Sequence, residues 1–254
     1  MLTYIIFIII ALYLWGFYIE PNLLVVKKYN VRNFNGKRIV FVSDFHIGKH
    51  DKHRLIRIVN KINKLNPDFV LSGGDFIKGH SGKHSLSLKE IAKILKNIQA
   101  PFITVLGNHD SNYDKFTVKK ALEEVGITVL NNTSILIDDI YISGVGNKRV
   151  SPSEILAALE HTDSKRILIS HTPDIYYDVK DNVDLILAGH VHGGQVRLPF
   201  IGALICPSKY GTKFSGGDYK ETQNRMIVTR GLGTSLLSVR FCDIPEIVLL
   251  EEYK

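Results

Sequence analysis

Residues that can hold metal ions occur in five short, separated fragments of this chain. They are Asp44-Phe45-His46, Gly73-Gly74-Asp75, Gly107-Asn108-His109-Asp110, Ser170-His171 and Gly189-His190-Val191-His192. Carboxylate oxygen and imidazole nitrogen together suit Mn, Fe, Zn and similar divalent ions. The set predicts a site for two divalent metals, and the chemistry that such a site suits best is attack of water on a phosphoester.

The spacing within the fragments predicts that the ligands lie at the ends of strands. Asp44 and His46 are two residues apart, as are His190 and His192, so on a strand the members of each pair share a face. An apolar run leads into each fragment, as residues 38–43 do before Asp44. Such runs are typical of buried strands, and ligands at strand ends favour an α/β fold.

In this order the fragments resemble the calcineurin-like metallophosphoesterase superfamily. The blocks D-x-H, G-G-D, G-N-H-D, H and G-H-x-H are all present, and the resemblance covers roughly residues 37 to 254. It implies seven metal ligands: Asp44, His46 and His192 on the first ion, Asp75 between the ions, and Asn108, His171 and His190 on the second. It also implies that His109 is the catalytic histidine and that Asp110 orients it and fixes its tautomer. At an ordinary pKa of about 6.5, His109 would donate a proton to the leaving oxygen or stabilise developing charge.

The pattern of elements indicates how this site is supported. Helices are predicted near residues 52–65, 87–98, 114–125 and 152–160, with strands between them in the first half and more strands in the second half. This alternation predicts an α/β fold, a four-layer αββα sandwich built on two sheets.

The N-terminal segment is almost wholly apolar from Leu2 to Ile19. Eighteen helical residues rise about 27 Å, close to the roughly 30 Å hydrocarbon core of a bilayer. We predict a membrane anchor over residues 1–20, a connector over 21–36 and a catalytic domain over 37–254. A signal peptide, or a segment lying in one leaflet, is the alternative, although no basic region precedes the apolar run. Basic residues follow the run, which places the domain on the cytoplasmic face of a single-pass inner-membrane protein. They are Lys27, Lys28, Arg32, Lys37 and Arg38.

Charge and cysteine content limit the classes of partner that the sequence indicates. The formal net charge is +7, but no basic block is interleaved with aromatic residues, so a nucleic-acid partner is not indicated. A phosphorylated, lipid-linked substrate or anionic headgroups account for the charge equally well. Cys206 and Cys242 have no metal-finger spacing. The sequence does not indicate an oligomeric state.

The region after His192 resembles the membrane-anchored phosphodiesterase branch of the superfamily, including the form G-H-x-H-G-G-Q. Some members of that branch resemble UDP-2,3-diacylglucosamine pyrophosphatases of lipid A synthesis. The branch often has Pro shortly before Arg240, where this chain has Ser238-Val239, a departure that bears on the subfamily. Six apolar residues would cradle acyl chains or pack in the core: Phe200, Ile201, Leu204, Ile205, Leu236 and Leu237. Three arginines would pair with substrate phosphate or form structural ion pairs: Arg197, Arg230 and Arg240.

Three functions therefore stand open. The first is a metal-dependent phosphodiesterase or pyrophosphatase that acts at the membrane, with UDP-2,3-diacylglucosamine as its suggested substrate. The second is a phosphodiesterase for soluble diesters such as a cyclic nucleotide or nucleic acid. The third is a non-catalytic scaffold on the same fold, which the intact ligand positions disfavour. Outside the five fragments, His80 and His84 are interpreted as exposed loop residues after Asp75.

Overall fold

The computed structural model describes residues 1–32, 34–146, 151, 164–179 and 183–252. Its helices are α1 (Leu2–Leu14), α2 (Lys52–Lys64), α3 (Leu88–Leu95) and α4 (Asn108–Glu123). Its strands are β1 (Val25–Asn30), β2 (Ile39–Val42), β3 (Phe69–Ser72), β4 (Phe102–Thr104), β5 (Thr128–Val129), β6 (Thr133–Ile137), β7 (Ile140–Val145), β8 (Lys165–Ser170), β9 (Leu185–Ala188), β10 (Arg197–Leu198), β11 (Gly202–Ala203), β12 (Gly217–Tyr219), β13 (Met226–Val228) and β14 (Glu246–Glu251).

The strands form two six-stranded sheets and a small hairpin. The first sheet has the order β1-β14-β2-β3-β4-β5, and β2 to β5 are parallel. The second has the order β12-β13-β9-β8-β7-β6, and β13, β9, β8 and β7 are parallel. Strands β10 and β11 pair as the hairpin. Because parallel strands end at the same edge of a sheet, the residues that follow them lie close together.

The two sheets pack face to face around one apolar layer. Phe41 and Leu71 of the first sheet share a buried cluster with Ile169 and Leu187 of the second. The opposite face of the first sheet is covered by α2, α3 and α4, which contribute residues such as Leu55 to another cluster. This confirms a mixed α/β fold with two sheets.

The predicted helices are confirmed in part. Helix α2 agrees with the prediction, and α3 begins after Ser87, whose hydroxyl accepts the backbone N–H of Glu90. Helix α4 begins at Asn108, six residues before the predicted start, and is interrupted at Asp114, whose carboxylate caps the second part. The predicted helix 152–160 lies outside the described residues, so the four-layer arrangement stays a prediction.

The N-terminal helix is joined to the rest of the fold at its end. Residues 2–22 form a continuous helical stretch with a mean hydropathy of 2.2, long and apolar enough to cross a membrane. The Gly16 carbonyl accepts the backbone N–H of Arg240 at 2.9 Å. The buried carboxylate of Glu20 accepts the indole N–H of Trp15 and the backbone N–H groups of Cys242 and Asp243. The segment therefore ends in specific contacts with the domain.

The predicted connector contains a strand of the first sheet. Residues 25–30 form β1, which pairs in parallel with β14 from Val25↔Glu246 to Asn30↔Glu251. This strand starts inside the predicted connector and ends at Asn30. The segment is structurally continuous with the sheet, and the domain division at residue 37 stays a prediction.

The layer between the sheets predicts a large effect of shortening Leu187. We expect Leu187→Ala to lower the free energy of unfolding by about 2–5 kcal/mol, because a buried side chain is removed and a cavity remains. Leu136→Ala on β6 is the control, and its exposed position predicts a change within about 0.5 kcal/mol. Denaturant unfolding of the full chain in detergent measures both. Equal effects of the two substitutions would contradict the assigned core.

Candidate metal centre

The seven predicted ligands come together where strands of both sheets end. Asp44 and His46 follow β2, Asp75 follows β3, and Asn108 opens α4 after β4. His171 follows β8, while His190 and His192 follow β9. All are buried except Asn108, which is partly exposed.

One group of ligands consists of Asp44, His46 and His192. The Nε2 atoms of His46 and His192 lie 3.1 Å apart, and His192 Nε2 lies 3.8 Å from Asp44 Oδ1. Two ligands bound to one ion at about 2.0–2.2 Å lie about 3–4 Å from each other. The three side chains are therefore spaced as ligands of a single ion.

A second group surrounds His171. Its Nε2 atom lies 2.9 Å from Asn108 Oδ1, 3.0 Å from His190 Nδ1 and 3.5 Å from Asp75 Oδ2. The same Asp75 oxygen lies 3.5 Å from His46 Nε2, in the first group. Asp75 thus stands between the groups, where a bridging ligand belongs, and the assignment of each residue to an ion stays a prediction.

The electrostatics of the cluster fit divalent cations. Burial, above all, lowers the pKa of His46, His171 and His192, so their imidazoles are neutral and offer lone pairs. Burial raises the pKa of Asp44 to about 7 and also raises that of Asp75, whose neighbouring carboxylates add to the effect. A cation among these groups would favour ionised carboxylates and leave the imidazoles neutral. The donor set is therefore suited to divalent metals.

Five of these ligands hold the backbone in the left-handed region. The φ angles are 56° at Asp44, 40° at His46, 58° at Asp75, 73° at His190 and 52° at His192. For residues other than glycine, this conformation costs on the order of 1–3 kcal/mol and persists only where the surroundings enforce it. Backbone hydrogen bonds enforce it here: Asp44 N–H donates to the Gly74 carbonyl, and His46 N–H donates to the Asp75 carbonyl.

Two glycines are required by the closeness of the fragments. A Cβ on Gly107 would overlap the Asp75 carboxylate and the His171 ring. Gly74 has a φ of 88°, and a Cβ there would overlap the backbone of Gly107. The G-G-D and G-N-H-D fragments therefore depend on glycine to bring their ligands together.

Asp110 holds the backbone that carries Asp75. Its carboxylate accepts the N–H groups of Asp75, Phe76 and Gly107 at 2.8, 2.9 and 3.1 Å. Among the described residues, no hydrogen bond joins this carboxylate to the His109 imidazole. The predicted role of orienting that ring stays a prediction, and the contacts of the carboxylate in the structure are with the Asp75 turn and Gly107.

His109 lies beside His46 and Asp75. Its backbone N–H donates to Asp75 Oδ1 at 2.8 Å, and its ring meets His46 edge-on with centroids 4.5 Å apart. Burial, and then the neighbouring His80, lower its pKa to about 4. The expected ordinary pKa is therefore corrected: the ring is neutral near pH 7 and suited to donating a hydrogen bond to substrate.

Comparison with known proteins agrees with this geometry. Residues 37–194 match the family model described as calcineurin-like phosphoesterase. The chain belongs to this family. It is therefore a metallophosphoesterase, a hydrolase, and the scaffold alternative is not supported.

Relatives of this phosphoesterase span almost its whole length. It is 30% identical to the uncharacterized metallophosphoesterase YkuE of Bacillus subtilis, over 91% of this chain and 86% of that protein. It is 26% identical to the phosphodiesterase YaeI of Escherichia coli, over 92% and 90%. It is also 26% identical to the UDP-2,3-diacylglucosamine pyrophosphatase LpxG of Chlamydia trachomatis, over 94% and 92%.

Four of the predicted metal ligands, Asp75, Asn108, His190 and His192, line a cavity of about 560 Å³. His80 and Asn112 lie at its rim, where the His80 ring stacks on His109 with centroids 4.3 Å apart and Nδ1 lies 2.9 Å from the Asn112 amide nitrogen. His80 is exposed, as predicted, yet it also borders the site. Its position depends on the fold of the 76–85 loop, which no local pattern indicated.

Apolar side chains form the other side of the rim. Ile205 and Leu236 line the cavity, and Gln195 links the ligand turn to the loop of Leu236 through two hydrogen bonds with the backbone of Ser235. All six apolar residues singled out from the sequence are exposed: Phe200, Ile201, Leu204, Ile205, Leu236 and Leu237. The interpretation that they pack in the core is therefore wrong.

The three arginines singled out from the sequence all have structural contacts. Arg240 is fully buried and donates to the carbonyls of Gly233 and Arg230 and to the Asp243 carboxylate. Arg197 donates to the Gly193 carbonyl. The Arg230 guanidinium lies 3.6 Å from Asp243 Oδ1. Arg240 is not available to substrate.

We expect His109→Ala to retain metal and lose turnover. The ring offers a hydrogen bond above the ligands, and loss of such a group typically costs about 100- to 10,000-fold in rate. Metal content by mass spectrometry and hydrolysis of bis(p-nitrophenyl) phosphate measure the two properties. Asp75→Ala is the comparison and should lose metal, because it removes the ligand between the groups. Near wild-type turnover of His109→Ala would contradict its role.

A separate prediction concerns Asp110→Asn. The amide replaces one acceptor oxygen by a donor that faces backbone N–H groups, so the Asp75 turn should shift and metal affinity fall about 10- to 100-fold. Titration of the demetallated protein with Mn²⁺ measures the affinity, and excess metal should restore most activity. Normal affinity with low turnover at saturating metal would instead support the orientation of His109 by Asp110.

Proposed function

We propose that this chain is a two-metal hydrolase of phosphodiester or pyrophosphate bonds that acts on a lipid-linked substrate at a membrane. One observation carries the proposal. Four of the seven predicted ligands, Asp75, Asn108, His190 and His192, line a cavity whose rim combines polar side chains with exposed apolar ones, Ile205 and Leu236. A ligand with a phosphate group and an apolar portion matches both halves of this surface.

The residues of the centre have distinct tasks in this function. Bound Mn, Fe or Zn ions would supply a water of lowered pKa and neutralise charge on the phosphoryl oxygens. Asp44, Asp75, Asn108 and the four predicted histidine ligands would hold these ions. His109, neutral near pH 7, donates a hydrogen bond to a phosphoryl or leaving oxygen. His80, stacked on it, restrains the ring.

The N-terminal helix supports action at a membrane. Almost none of it is buried, and its length and hydropathy suit a single span, although a signal sequence has the same properties. The contacts of Gly16 and Glu20 with residues 240–243 favour a segment that stays with the domain, since its removal would leave those backbone groups without their partners. With basic residues after the helix, we propose a single-pass anchor and a catalytic domain on the cytoplasmic face.

We propose UDP-2,3-diacylglucosamine as the substrate, with UMP and the lipid monosaccharide phosphate as products. Two relatives named as pyrophosphatases of this compound cover 94% of the chain at 25–26% identity. The reaction would place the chain in lipid A biosynthesis. The relative named as a phosphodiesterase keeps a soluble diester as the second candidate.

A comparison of substrates tests the proposed function. With purified full-length protein and Mn²⁺ in detergent, we expect kcat/KM for UDP-2,3-diacylglucosamine to exceed that for bis(p-nitrophenyl) phosphate at least about tenfold. Burial of only two acyl CH₂ groups is worth about 1.6 kcal/mol, which corresponds to such a factor. Mass spectrometry identifies UMP, and His109→Ala is the control. Equal values for the two compounds would favour the soluble diester.

A further inference from the structure

Two apolar loops beside the cavity arise from the chain segment that holds the end of the N-terminal helix. The first is the β10–β11 hairpin with the residues after it, 197–205. Its base pairs with Phe241: Arg197 N–H donates to the Phe241 carbonyl at 2.8 Å, and Phe241 N–H donates to the Gln195 carbonyl at 2.9 Å. The position of the hairpin is therefore set by residue 241.

The second loop contains Leu236 and Leu237 and runs directly into the same segment. The backbone N–H of Arg240 binds the Gly16 carbonyl, and Val239 lies beside Gly16. Beyond Phe241, the N–H groups of Cys242 and Asp243 bind the Glu20 carboxylate. The helix end and both loops are thus fixed to five consecutive residues, 239–243.

The apolar side chains of these loops are presented to solvent. Phe200 and Leu236 are fully exposed, and Leu237 and Ile201 are about as exposed as residues of the helix itself. A group of large apolar side chains exposed together marks a surface that contacts another apolar phase. Lys78, whose ammonium donates to the Ser238 hydroxyl at 2.8 Å, adds a basic group next to Leu237.

We propose that the 197–205 and 236–237 loops insert into the bilayer surface beside the anchor, so that the cavity opens towards the membrane. The inference rests on the membrane anchor of the proposed function and extends it, because an anchor alone does not set the orientation of a domain. Because the loops are continuous with the exposed apolar helix, the apolar phase that they contact is the bilayer. Contacts at both Gly16 and Glu20 fix the helix relative to the loops, and Lys78 faces the anionic headgroups.

This orientation has a consequence for the substrate. Ile205 and Leu236 belong to the inserted loops and also line the cavity. A lipid-linked phosphoester would therefore reach the ligands along an apolar surface, with its acyl chains still in the membrane. The cost of extracting those chains into water, about 0.8 kcal/mol for each CH₂ group, would be avoided.

Quenching of introduced tryptophans by brominated lipids tests the proposal. Full-length Phe200→Trp and Leu237→Trp are reconstituted into phosphatidylcholine and phosphatidylglycerol vesicles with brominated acyl chains, and the signal of Trp15 in the unsubstituted chain is subtracted. Leu136→Trp is the matched control, an exposed leucine on the edge strand β6. We expect quenching at positions 200 and 237 to exceed that at position 136 at least about threefold.

The possible outcomes separate the inference from the proposed function. Vesicle-bound protein without extra quenching at positions 200 and 237 overturns the inference and leaves the anchor standing. The same result with concentration-dependent crosslinking through these loops shows that a second copy covers them, and also overturns it. Failure of the unsubstituted chain to bind vesicles overturns the membrane part of the proposed function. If the unsubstituted chain does not hydrolyse bis(p-nitrophenyl) phosphate in the presence of Mn²⁺, the proposed chemistry is contradicted. That result does not bear on the position of the loops, because quenching is measured independently.

Discussion

The removal of carboxylates and imidazoles from water is the constraint on which this structure depends. Asp44, Asp75 and Asp110 are almost completely buried, although an isolated carboxylate is costly to desolvate. The fold offsets that cost with backbone N–H groups: His190 N–H donates to Asp44, His109 N–H to Asp75, and two turns donate to Asp110. Parallel strands that end at one edge of a sheet bring these N–H groups together. The same strand order therefore both gathers the candidate ligands and satisfies their buried carboxylates.

A buried cation, Arg240, joins the segments next to this centre. Arg240 has no exposed surface, and its guanidinium is satisfied by carbonyls and by the Asp243 carboxylate. Removal of one partner from such a buried pair is costly because the other charge stays uncompensated. Burial raises the pKa of Asp243 to about 6, although the neighbouring Arg240 acts to lower it. The 230–243 region is thus held by fixed polar contacts rather than by apolar packing alone.

Sequence alone predicted the features that local patterns encode. Apolar runs ending in Asp, His or Gly predicted β2, β3, β4, β8 and β9, and the candidate ligands follow these strands. Features that depend on contacts between distant segments were not predicted. His80 reaches the rim only because its loop returns over α4, and Asp110 binds a turn 33 to 35 residues away. For the same reason, the sequence did not decide whether residues 200–205 and 236–237 lie in the core or on the surface. A short apolar run has the same composition in both places.

The contacts around Arg240 connect the apolar helix to a predicted metal ligand through a short chain of hydrogen bonds. The Gly16 carbonyl accepts the Arg240 backbone N–H, and the guanidinium of the same residue donates to the Gly233 carbonyl at 2.6 Å. Gly233 N–H then donates to the Asp44 carbonyl at 2.7 Å, and a Cβ on Gly233 would overlap the backbone of Phe45 and Asp44. Asp44 is also the ligand whose carboxylate receives the His190 N–H. Three hydrogen bonds therefore separate the helix end from the centre. Each of them joins buried or nearly buried groups. A displacement of the helix therefore cannot be absorbed by solvent-exposed side chains. The same geometry that would orient the cavity towards a membrane would also make the arrangement of Asp44 depend on the helix being in place.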